Sequence, residues 1–154
     1  MSIDLTSREL DQFVDRYVAM WHEADPIERR RTVERLWTTD AVNCTPTLLA
    51  CGHDEITARV ASAHERFVAT GEYRFRPRGE ATGHHDSVCL EWEMVGVADG
   101  VVAGGGLDFF LLAPDGRIQS HYQYGAPACQ PDHRLLQELE TIRDRRQCDA
   151  EVSR

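Results

Sequence analysis

The sequence predicts an α+β fold, with helices first and an antiparallel sheet wrapped over them. Three observations carry this. Apolar residues in the first half recur at spacings of three and four. From Tyr73 onward the period changes to two. Asp-Gly pairs at Asp99-Gly100 and Asp115-Gly116 then separate the alternating segments, a hairpin signature. A run of helices followed by a run of strands gives a sheet layered on helices rather than alternating parallel units.

Leu10, Phe13, Val14, Tyr17, Val18 and Trp21 form one stripe, which predicts an amphipathic helix from Ser7 to Glu23. Asp25-Pro26 opens a second helix, because proline suits a first helical turn. Ile27, Val33, Leu36 and Trp37 mark its inner side. Its "ERRRTVER" stretch interleaves acids with arginines and reads as a solvated face. Asp40 to Thr45 is a short strand, and "PTLLACGHDE" is a loop. Ile56, Val60, Ala63 and Phe67 trace a third helix.

In "EYRFRPRGEATG", Tyr73 and Phe75 alternate with Arg74 and Arg76, and Pro77 marks an edge or a bend. In "SVCLEWEMVGV", Val88, Leu90, Trp92 and Met94 make one face, with Glu91 and Glu93 on the other. "VVAGGGLDFFLLA" and "IQSHYQY" complete a four-strand meander. Leu135, Leu139 and Ile142 predict a last helix from Pro131 to Gln147. The expected organisation is a domain over 1–126 and a C-terminal helical extension over 127–154.

Composition excludes some partners. Acids outnumber bases 26 to 17, so the formal net charge of −9 repels nucleic acid and anionic membrane. No segment reads as a signal peptide or an apolar span. Five scattered cysteines, Cys44, Cys51, Cys89, Cys129 and Cys148, then read as reduced thiols of a cytoplasmic protein. Cys44, Cys51 and His53 fit no zinc spacing, and His84-His85-Asp86 reads as a hairpin loop, so no metal is expected. No nucleotide or cofactor fingerprint is present, and no cofactor is expected.

One charge stands out. Asp108 lies in the apolar strand "AGGGLDFFLL", where a carboxylate is costly to bury unless paired. With Asp115-Gly116 as a two-residue turn, Asp108 faces Gln123, Phe110 faces His121 and Leu112 faces Gln119. Asp108 and His121 then share one side of the sheet. Leu107, Phe109, Leu111, Ile118, Tyr122 and Tyr124 take the other. With Asp99-Gly100 as a simple turn, Asp108 faces Glu91, on the more polar side. A single bulge among Gly104 to Gly106 reverses this and sets Asp108 beside Leu90, Trp92 and Met94. Both orientations are open at this level.

The chain resembles the SnoaL-like, or nuclear transport factor 2-like, superfamily of α+β cones. The resemblance runs from Leu10 to Tyr124. It rests on element order and on "FVDRYVAMW", "LWTTDAV", "GHDEI" and "LDFFLLAPDGRIQSHYQY". It implies a cone-shaped curved sheet over three helices, with Asp108 and His121 lining a cavity between them. It is similar to ketosteroid isomerases in Tyr17 and Asp108, the positions of an oxyanion-holding pair. Their general base corresponds to Thr45, before Pro46, and a hydroxyl cannot serve as that base. In SnoaL-like cyclases the residue matching Asp108 is the acid–base group. The acid expected two places after His121 is Gln123 here.

The expected function is proton transfer next to a carbonyl, of isomerase, cyclase or dehydratase type, on a small, mainly apolar metabolite. Asp108, His121 and Tyr17 are the candidate catalytic residues. Trp21, Trp37, Trp92, Phe110, Gln123 and Leu90 are the candidate ligand contacts, although the tryptophans and Tyr17 read equally as core. The alternative is a non-catalytic binding protein or a dimeric accessory subunit. Epoxide hydrolysis needs an acid pair, and only Asp108 qualifies. A homodimer is expected.

Overall fold

The computed structural model describes residues 4–126. The predicted helix over 131–147 and its apolar stripe lie outside the described residues, as do Cys129, His133 and Cys148. Helix α1 (Ser7–His22) starts on a reciprocal cap: Thr6 Oγ1 accepts from Glu9 N, and Glu9 accepts from Thr6 N. It buries Phe13, Val14, Tyr17 and Trp21 of the stripe predicted from spacing, together with Met20, and leaves Leu10 and Val18 half-buried. Helix α2 (Pro26–Leu36) starts on Asp25, whose carboxylate accepts from Ile27 N.

One residue of α2 departs from the expected solvated face. Arg29 is buried, and its guanidinium donates to the Glu23 and Ala24 carbonyls at 2.9 and 3.3 Å. It thus satisfies backbone acceptors left open where α1 ends. Helix α3 (Gly52–Ala63) runs into a π-helical turn, His64–Val68. There His64 is buried with Nδ1 against the Trp21 carbonyl at 3.0 Å, tying α3 to α1.

The strands are β1 (Trp37–Cys44), β2 (Leu49–Cys51), β3 (Tyr73–Pro77), β4 (Thr82–His84), β5 (Ser87–Gly96), β6 (Val102–Leu112) and β7 (Ile118–Ala126). They form one seven-stranded sheet in the order β2-β1-β7-β6-β5-β3, with β4 also on β5. The sheet is mixed rather than purely antiparallel. β1 pairs in parallel with β7, and the long connection that a parallel pair needs is supplied by α3 and the strands between them. β2 lies inside the predicted loop, and Trp37 opens β1 instead of closing α2.

The hairpin registers decide which way each side chain points. The β5–β6 connection is a four-residue loop, Val97 to Gly100, closed by a Gly96 N to Val101 O bond, not a two-residue Asp-Gly turn. Val95 pairs with Val102, but Met94 pairs with Gly104. Ala103 is therefore the bulged residue, one place before the glycines proposed for that role. The bulge reverses the phase of β6, so Asp108 pairs with Leu90 rather than Glu91.

The β6–β7 hairpin is corrected at its end. Asp108–Gln123 and Phe110–His121 pair as expected, but Leu112 faces Ile118, and Gln119 is extra. Ala113 N bonds Arg117 O around a three-residue loop, Pro114 to Gly116. The second irregularity carries Ile118 from the outer face into the core, where it is fully buried. The core thus packs α1, α2 and α3 against the inner face of β1, β5, β6 and β7.

Candidate active site

Asp108 is 1% exposed on the inner face of β6. Its Oδ2 accepts from Tyr17 Oη at 2.5 Å, and its Oδ1 accepts from Trp92 Nε1 at 3.1 Å. These two donors answer the burial problem. A desolvated carboxylate is tolerated when charge-assisted hydrogen bonds replace water. Tyr17 comes from α1, one turn before Trp21, and Trp92 comes from β5, two residues beyond the partner of Asp108. Burial, then the Asp108 charge and its hydrogen bond, push the Tyr17 phenol well above its ordinary value. Tyr17 is thus a proton donor that holds its hydrogen, and it spends that hydrogen on Asp108.

His121 lies behind this pair. It is fully buried and stacked on Phe110, ring centroids 4.4 Å apart at 18°. Its Nε2 is 3.4 Å from Tyr17 Oη and 3.5 Å from Asp108 Oδ2. A chain of donors sets its tautomer. Arg59 can only donate, so its contact with Gln123 at 3.3 Å fixes the acceptor there as Oε1. Asn43 on β1 must then offer Nδ2 to Gln123 Oε1, at 3.3 Å, and its second hydrogen goes to His121 Nδ1 at 3.0 Å. His121 Nδ1 accepts, which leaves the neutral ring's hydrogen on Nε2, facing Tyr17 and Asp108. The arrangement has a cost: Asn43 Oδ1 is buried without a partner among the described residues.

Asp108 stands at the polar end of a cavity of about 100 Å³ between α1, α3 and the sheet. Val18, Trp21, Ala63, Phe67, Phe75 and Leu90 make apolar walls. Tyr17, Trp92, Asp108 and Gln123 make the polar end, and Arg59 and Arg76 also line the space. The volume is below that of drug-sized sites, about 300 Å³ and up, and near the scale of a space that takes one small ring. It suits a small ligand.

Of the residues singled out from sequence, Asp108, Tyr17, Trp21, Trp92, Leu90 and Gln123 come together at this cavity. His121, Trp37 and Phe110 do not line it. They are packed behind it, at 1% exposure or less, and their rings support Tyr17 and each other. Thr45 is also elsewhere: its Oγ1 accepts from Leu48 N at 3.0 Å and closes the β1–β2 turn. Among the described residues, Asp108 is the one carboxylate lining the cavity.

Sequence reasoning missed Asn43 and Arg59. Asn43 lies two residues after buried Ala41 on β1, an inward position by alternation. Arg59 lies three residues after Ile56 and four before Ala63, on the edge of the α3 stripe. Both signals are visible, but a polar residue at one such position does not by itself identify a site. No helix among the described residues is long and apolar enough to cross a membrane. The described residues hold no cluster of three metal-ligating side chains.

No family model matches the chain, and no curated protein matches it. Solved structures do. A candidate isomerase of the SnoaL-like family from Agrobacterium tumefaciens strain C58 is 26% identical, with a TM-score of 0.69 over 76% of this chain and 97% of that one. A candidate polyketide cyclase from Sinorhizobium meliloti is 18% identical, with a TM-score of 0.58 over 78% and 100%. A SnoaL-like protein of unknown function from Burkholderia thailandensis E264 is 15% identical, with a TM-score of 0.58 over 80% and 99%. The last two speak to the fold alone. The helices, the curved mixed sheet and these likenesses together show that the chain has the α+β cone fold of SnoaL-like and nuclear transport factor 2-like proteins.

Proposed function

We propose that the protein is an enzyme that moves a proton next to the carbonyl of a small, mainly apolar metabolite, of isomerase, cyclase or dehydratase type. One observation carries this reading: a buried carboxylate, Asp108, at the polar end of an apolar cavity, oriented by Tyr17 and Trp92. Asp108 takes the proton from the carbon beside the carbonyl and returns it elsewhere on the substrate. Its two oxygens keep lone pairs beyond those used by Tyr17 and Trp92. Tyr17 and Trp92 hold the carboxylate in one orientation, with His121 Nε2 behind it at 3.5 Å. General acid–base transfer of this kind is worth about a hundred- to ten-thousand-fold in rate. The chemistry asks for no cofactor.

The test uses hydrogen–deuterium exchange at the α-carbon of cyclopentanone in D₂O, followed by NMR. Wild type accelerates exchange, and Asp108→Asn abolishes the acceleration while keeping ketone binding. Equal exchange by wild type and Asp108→Asn sinks the proposal. A second reading is a binding protein without turnover. The use of the Thr45 hydroxyl in a turn favours it, since the position matching a second base then offers none to the cavity. Ketone binding without exchange by wild type identifies that case.

A further inference from the structure

Two arginines line the cavity, and they are not equivalent. Arg76 Nε is bonded to Glu93 at 2.6 Å, so its charge is already answered. Arg59 has no carboxylate partner among the described residues. It lies over the Trp21 ring, 5.5 Å from the centroid, and gives one N–H to Gln123 Oε1. A guanidinium carries five N–H donors, so most of its capacity is unspent. Gln123 is held only through Oε1, and its Nε2 hydrogens have no partner among the described residues. Donors therefore converge from α3 and β7 on a space where Asp108 is the sole carboxylate among the described residues.

We propose that Arg59 is a catalytic residue that, with Gln123 Nε2, holds the substrate's carbonyl oxygen and the negative oxygen formed from it. The inference rests on the proton-transfer reading above. Tyr17 does not supply this contact, because its hydrogen is on Asp108. The charges balance at each stage. When the Cα–H bond breaks, the proton goes to Asp108. The electron pair forms the new C=C bond, and the carbonyl π pair moves to oxygen. One negative charge leaves Asp108 and appears on the substrate oxygen, so Arg59 faces one anion before and after. Donors preorganised for such an oxygen in a dry site stabilise the transition state strongly. The same count gives the substrate class. An uncharged small ketone, aldehyde or lactone keeps the site neutral, whereas a carboxylate-bearing substrate adds a charge that Asp108 repels.

The experiment compares wild type, Arg59→Met, Arg59→Lys and Asp108→Asn as full chains. It reads cyclopentanone exchange in D₂O and binding of 4-nitrophenol, whose coloured phenolate mimics the planar enolate. Arg59→Met is expected to lower exchange about 100- to 1,000-fold, the range for loss of one oxyanion donor. It also weakens phenolate binding by about tenfold or more, with wild-type circular dichroism. Arg59→Lys recovers part of both, which separates the charge from a packing effect. Asp108→Asn loses exchange and binds the phenolate more tightly than wild type, because the carboxylate that repels it is gone. Wild-type exchange or wild-type phenolate binding in Arg59→Met overturns the role of Arg59. If Asp108→Asn is inactive at the same time, proton transfer by Asp108 stands. No exchange by wild type overturns both.

Discussion

Gly106→Ala tests how the glycines of β6 serve the site. A Cβ at Gly106 meets Trp92 Cζ2 at 2.7 Å, Trp92 Cε2 at 2.9 Å and the Tyr124 carbonyl oxygen at 2.7 Å. Ordinary contact begins near 3.4 Å, so something must give by about 0.7 Å. The Tyr124 carbonyl belongs to β7, whose pairing on β6 runs on both sides of this point, so it yields only by distorting the ladder. Trp92 is the other neighbour, and its Nε1 holds Asp108 Oδ1. Its displacement loosens the carboxylate. Overpacking of this kind costs about 1–3 kcal/mol. At roughly 2–4 °C per kcal/mol for a chain of this size, the melting temperature falls by about 2–12 °C. Gly104→Ala is the control. Its Cβ meets Met94 Cε at 3.7 Å, an ordinary contact with the end of a flexible side chain. Differential scanning fluorimetry of both variants, with tryptophan emission, reads the result. Equal stability of Gly106→Ala and Gly104→Ala refutes the claim that Gly106 exists to admit the Trp92 indole.

Two further predictions concern the buried network. The Tyr17 phenol is held above its ordinary value, so the stability tied to its hydrogen is complete below about pH 10 and is lost as pH rises beyond that. The slope is at most about 1.4 kcal/mol per pH unit for one proton. In Tyr17→Phe this alkaline slope disappears, and stability near neutral pH falls by about 1–3 kcal/mol because Asp108 loses a donor. Urea melts from neutral to alkaline pH measure both. Asn43→Ala removes the donor to His121 Nδ1 and costs about 1–3 kcal/mol in urea unfolding. Nitrogen NMR of the ring is expected to show the Nε2–H tautomer in wild type and a mixture in the variant. A mixture already present in wild type refutes the donor chain from Arg59.

Much of the fold was legible because it rests on local rules. The α1 stripe, the Asp25-Pro26 start of α2 and the alternation of β5 all depend on residues a few positions apart, where 3.6- and 2-residue periods act. Trp37, β2 and the parallel pairing of β1 with β7 were not, because they depend on partners far along the chain. Part of the site was legible for a mixed reason. Asp108 stood out as a lone charge in an apolar strand, and turn arithmetic paired it with Gln123. Asn43 and Arg59 escaped because an inward polar residue acquires meaning only from the groups it meets, and those lie on other elements.

The order of helices and strands, the positions of the turns and the identity of the anomalous carboxylate follow from the residues and their spacing. The direction in which that carboxylate points does not. Side chains alternate across a strand, so one extra residue reverses a face, and Ala103 supplies it next to three glycines. The turn sequence admits the straight and the bulged pairing alike. Packing chooses between them. With the bulge, Leu90, Asp108 and Phe110 face α1, Asp108 meets Tyr17 and Trp92, and Glu91 is left in solvent. Without it, Asp108 and Glu91 would share a side, so either Asp108 would leave its donors for the outer face or Glu91 would be forced among apolar walls, and the buried free energy of the whole inner face decides the phase of one strand.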